Sequence, residues 1–76
     1  MKKHSITIKG HRTSYSLEEL FQIELEKIAA QKNMSLAQLI TSIDVKREAT
    51  QNLSSALRIF ILKSVKAENQ SAKSQN

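Results

Sequence analysis

The sequence predicts a mainly α fold: a short β-ribbon at the N-terminus, then three helices. Three observations carry this. Apolar and polar residues alternate on both sides of Gly10, the single glycine, and a period of two is the signature of a strand. Three later stretches place apolar residues at steps of three and four behind a serine or asparagine, the pattern of capped amphipathic helices. The chain has 76 residues and no cysteine. A core that small is marginal without disulfides, so self-association is the expected remedy.

Residues 4–9, His-Ser-Ile-Thr-Ile-Lys, form the first alternating run. Lys9-Gly10-His11 marks a turn, a bulge or a break. Residues 12–17 alternate again, with Thr13, Tyr15 and Leu17 on one face and Arg12, Ser14 and Ser16 on the other. The strand region is thus 4–17. Segment 4–9 either extends as an arm or folds back at Gly10 as a hairpin. A lone strand or hairpin is not stable in water, and its edge needs a partner. The simplest partner is the same strand of a second copy, antiparallel about a two-fold axis.

Ser16 and Glu19 have capping-box spacing and open a helix over about 18–32. Its stripe is Leu17, Leu20, Phe21, Leu25 and Ile28, widened by Ile23 and Ala29, and Asn33 suits its left-handed stop. Ser35 and Gln38 repeat the box before a helix over 35–45, with Leu36, Leu39, Ile40 and Ile43 on one face. Residues 46–51 read as a polar connection. Asn52 caps a third helix over 52–66, where Leu53, Ala56, Leu57, Phe60, Ile61 and Val65 share a face. Ile59 and Leu62 make it apolar on a second side, as expected for burial against two neighbours. Residues 1–66 form the domain, and the polar residues 67–76 a disordered tail.

The net charge of +5 is uneven. Residues 1–16 hold Lys2, Lys3, Lys9 and Arg12 and no acid, whereas 17–26 hold Glu18, Glu19, Glu24 and Glu26 and no base. A basic segment attracts polyanions by neutralising phosphates and releasing counterions; a merely solvated tail is the competing reading. His4 and His11 have no cysteine or carboxylate at ligand spacing, so neither metal nor cofactor is expected. Glycine-rich phosphate loops and triad spacings are missing, and Glu24 and Glu26 lie on different helix faces, so no enzyme is expected. Nothing is long and apolar enough to span a membrane, and no apolar region follows Lys2-Lys3. The acid-rich first helix does not suit a membrane surface. The expectation is a cytoplasmic protein.

The run Gly10-His-Arg-Thr-Ser-Tyr-Ser-Leu-Glu18, an amphipathic helix and Asn33-Met-Ser-Leu36 resemble the ribbon-helix-helix repressors. More closely, the chain resembles a bacterial subfamily with a Gly-His-Arg-Thr-Ser ribbon motif and a later Asn-Leu-Ser-Ser-Ala-Leu-Arg, here Asn52 to Arg58. The resemblance covers about residues 4–65 and implies a ribbon-helix-helix dimer with an additional C-terminal helix. It implies an intermolecular antiparallel ribbon in the major groove of double-stranded DNA, with Arg12, Ser14 and Ser16 reading bases. Lys2, Lys3, Lys9, His11, Ser35 and Leu36 would touch phosphates, the last two through the helix N-terminus. Tyr15, Leu17, Phe21, Leu39, Ile40, Ile43 and Phe60 would form the dimer core. Of two roles, Ser16 suits the helix cap better than a base. The function implied is transcriptional repression. The alternative is a protein-interaction or antitoxin-like role, in which residues 52–66 bind a protein partner.

Overall fold

The computed structural model describes residues 1–74. Within them the order is β1 (Lys2–Ile8), β2 (His11–Leu17), α1 (Glu19–Gln31), α2 (Leu36–Lys46) and α3 (Leu53–Ser74). This is the expected ribbon followed by three helices. The open question at Gly10 resolves as a hairpin: β1 and β2 pair antiparallel from Lys2↔Leu17 to Ile8↔His11. The loop is two residues long, and both have positive φ, 51° at Lys9 and 81° at Gly10. That is the primed turn whose twist matches paired strands, and it explains the position of the one glycine.

Strand alternation decides which face meets the helices. Ile8, Tyr15 and Leu17 are buried, while Lys3, Ser5, Thr7, Arg12 and Ser14 are exposed. The inner face joins Leu25, Ile28, Leu39, Ile40, Ile43, Leu53, Ala56, Leu57 and Ile61 in one core. The residues expected at a dimer core therefore sit largely inside one chain. Tyr15, Leu17, Leu39, Ile40 and Ile43 are buried there, and Phe21 and Phe60 pack against them partly covered.

Capping accounts for two helix starts. Ser35 Oγ accepts from Gln38 N, and Gln38 Oε1 accepts from Ser35 N, at 3.1 and 2.8 Å. Asn52 Oδ1 accepts from Ser55 N at 2.8 Å. Asn33 takes φ 56° between α1 and α2. The Ser16–Glu19 capping box does not form. The N-cap of α1 is Glu18, without a side-chain cap bond. Ser16 is still strand, opposite Lys3, so its side chain belongs to the hairpin rather than the helix start. The tail expectation also changes, because α3 runs through Ser74. Residues 67–74 lack glycine and proline and include Ala, Glu, Gln and Lys, which extend a helix already nucleated. Residues 75 and 76 lie outside the described residues.

Candidate nucleic-acid interface

The outer face of the hairpin holds three cross-strand rows: Lys3 with Ser16, Ser5 with Ser14, and Thr7 with Arg12. Ile8 and His11 close the turn as a hydrogen-bonded pair, so by antiparallel alternation these three rows are the non-bonded ones. Their side chains approach most closely, and their backbone groups point outward. Rows two residues apart are about 7 Å apart along the strands, so the face is about 14 Å long. It carries two cations and four hydroxyls, with no acid and no large apolar group.

Arg12 and Ser14 are exposed and Ser16 is partly covered. Ser16 is held from behind: its N–H donates to Ser54 Oγ at 2.9 Å, and its carbonyl accepts from Arg58 Nη2 at 3.4 Å. Arg58 Nε also donates to Glu18 Oε1 at 3.0 Å. Glu18's own backbone N–H and Arg58 hold its carboxyl below the ordinary value of 4.5. The carboxylate nearest the strand is thus engaged by Arg58, leaving Arg12 without an acidic partner among the described residues. Ser54 and Arg58 were not singled out in the sequence. Their i,i+4 spacing inside the Asn52–Arg58 motif puts both on one helix face and was the available signal.

The other candidate residues scatter. Lys3 stands on the outer face. Lys9 is exposed at the tip, and His11 borders a groove there with Asp44 and Arg47. Lys2 lies on the helix side, lining a cavity with His4, Glu19 and Glu26. Ser35 and Leu36 open α2, whose other end reaches that groove at the hairpin tip through Asp44. The eleven residues of α2 put about 16 Å between its two ends. Arg47 is held in its connection, donating to Asp44 Oδ1 and to the Gln51 carbonyl, both at 2.6 Å. Ser5 and Thr7 complete the outer face and were missed; only the hairpin register brings them beside Ser14 and Arg12.

Behind this face the Tyr15 hydroxyl donates to Gln22 Oε1 at 3.0 Å, and Gln22 Nε2 donates to Glu26 Oε2 at 2.9 Å. The His4 ring stacks on Tyr15, with centroids 5.1 Å apart. Burial pushes the Tyr15 phenol above its ordinary 10.0, and the Glu26 charge pushes the same way. Tyr15 is thus a fastener of hairpin to α1 rather than a base-stacking platform. Among the described residues no cluster of His, Asp and Glu could hold a metal ion, and no helix is long and apolar enough to cross a membrane.

A family model described as a ribbon-helix-helix domain matches residues 1–65. Comparisons with curated proteins and with solved structures give no match.

Proposed function

The chain belongs to the ribbon-helix-helix domain family, and from that premise we propose that it is a cytoplasmic transcriptional repressor of the bacterial Gly-His-Arg-Thr-Ser subfamily, binding double-stranded DNA as a homodimer. The family consists of DNA-binding regulators that generally act as dimers. The observation that carries the reading is the outer face of the hairpin, where Arg12 and Ser14 stand exposed beside the partly covered Ser16. The side chain of Arg12 suits guanine O6 and N7, and serines suit either donor or acceptor edges. Lys3, Lys9, His11 and the free N–H groups opening α2 at Leu36 would meet phosphates, whereas Lys2 stays on the helix side beside Glu19 and Glu26.

A second copy has apolar surface to cover. Leu20 (79 % exposed) and Ile23 face outward on α1, and Ile59 and Leu62 (56 %) on α3. The half-buried Phe21 and Phe60 would join that interface. The same Ile59–Leu62 pair favours the second reading, in which α3 binds a different protein. Deleting residues 52–76 is a poor test, since Leu53, Ala56, Leu57 and Ile61 belong to the core. Ile59→Glu with Leu62→Glu is better. Dissociation to monomer in sedimentation supports the second copy; an unchanged oligomer with a lost partner supports the alternative.

The main test is a gel shift on duplexes enriched from a random pool. Arg12→Ala is expected to weaken cognate binding by about 1–3 kcal/mol and relax one base position. Failure of the unaltered protein to prefer any duplex over a scrambled one ends this proposal.

A further inference from the structure

We infer that β1 is a second reading strand: the hairpin of a single chain enters the major groove, and Lys3, Ser5 and Thr7 contact base edges alongside Arg12, Ser14 and Ser16. The inference rests on the DNA-binding reading above and departs from a ribbon made by two copies of β2.

Three observations carry it. First, the chain already contains a complete two-stranded antiparallel ribbon, paired along seven positions from Lys2↔Leu17 to Ile8↔His11. Second, the far edge of β2 is partly closed. The Ser16 N–H and carbonyl on that edge are held by Ser54 and Arg58 of α3, which leaves only Arg12 and Ser14 with open backbone groups there. A β2–β2 ladder between copies is restricted to that short stretch. Third, the dimensions discriminate. Two strands lie about 5 Å apart and fit a groove about 12 Å wide, whereas the outer strands of a four-stranded sheet are about 14 Å apart and do not.

Insertion of one hairpin presents both strands' outward residues together. Lys3, Ser5 and Thr7 are all exposed, and each faces a β2 partner across a non-bonded row. The three rows span about 14 Å, close to four base-pair steps at about 3.4 Å each. Lysine has the same guanine acceptors as arginine, and the threonine hydroxyl, like the serines', suits either donor or acceptor edges. Base reading then comes from six positions per chain.

The test is selection from a random duplex pool with the full chain and with Lys3→Ala, Ser5→Ala, Thr7→Val and Arg12→Ala, each checked for a native thermal melt. All four positions are exposed, so folding is expected to persist. The expected result is that Lys3→Ala loses about 10- to 100-fold on the unaltered protein's site and accepts any base at one position, with smaller relaxation for Ser5→Ala and Thr7→Val at neighbouring positions. Unchanged base preference in all three β1 variants, with or without a uniform loss of affinity, overturns the inference, while Arg12→Ala in the same experiment shows whether β2 still reads. No selected sequence for the unaltered protein overturns the DNA-binding reading itself.

Discussion

At Lys9 and Gly10 two consecutive residues hold positive φ, and only the second is glycine. A Cβ added at Gly10 meets nothing within 4 Å, so Gly10→Ala isolates the backbone term and is expected to cost about 1 kcal/mol in urea unfolding. Lys9 already bears that strain, since a left-handed residue with a Cβ costs about 1–2 kcal/mol. Lys9→Asn should recover a few tenths to 1 kcal/mol, because asparagine tolerates this region, while removing a tip charge and weakening DNA binding. A variant that gains stability and loses affinity separates the two roles of one residue. Tyr15 gives the pH-dependent case. Its folded pKa is raised above the unfolded 10.0, so its contribution to stability is fully present below pH 10 and is lost as pH rises through the folded value. Tyr15 is the single tyrosine and there is no tryptophan, so the tyrosinate absorbance reports it alone. The expected midpoint lies above 10.0 and returns toward it on unfolding in urea; a midpoint at the unfolded value contradicts the buried fastener.

Among the elements, α2 begins on a reciprocal cap. Ser35→Ala removes the Oγ that accepts from Gln38 N while leaving the Ser35 N–H to Gln38, and is expected to cost about 1 kcal/mol, read as a lower urea midpoint. The starts of α2 and α3 were legible because a cap is a local event: Ser35, Gln38 and Asn52 need only their own turn. The same spacing at Ser16 and Glu19 misled, because β2 keeps Ser16 in a ladder opposite Lys3, a competition decided thirteen residues away. The two faces of β2 were legible from alternation alone, and with them Arg12, Ser14 and Ser16. Ser5 and Thr7 were not, since their place depends on whether Gly10 turns the chain. Arg58 meets Glu18 across forty residues of sequence, a tertiary contact that no periodicity encodes. The continuation of α3 past residue 66 was misread because polar composition was weighed above helix propensity.

For the whole molecule, the net charge of +5 matters less than where it stands. Lys3 and Arg12 project from the outer face and Lys9 from the tip, whereas Lys2 lines the cavity beside Glu19 and Glu26. Three cations per chain are therefore positioned to displace counterions from a duplex. With a slope of about −0.9 per neutralised phosphate, one bound chain should give a log–log salt slope of about −3 and two chains about −5. Fluorescence anisotropy with a labelled duplex, titrated over a range of salt, measures it, and sedimentation of the complex fixes the number of chains independently. The slope and the stoichiometry must agree. Two chains with a slope near −3 mean that only one hairpin engages, which restricts recognition to one half-site. Two chains with a slope near −5 mean that both hairpins bind, which requires a second hairpin-sized site on the same duplex. A slope near zero removes the electrostatic basis for placing this face on DNA. Lys9→Asn then supplies the internal check, since it should lower the magnitude of the slope by about one for each chain bound, whereas Lys2→Ala, on the helix side, should leave it nearly unchanged.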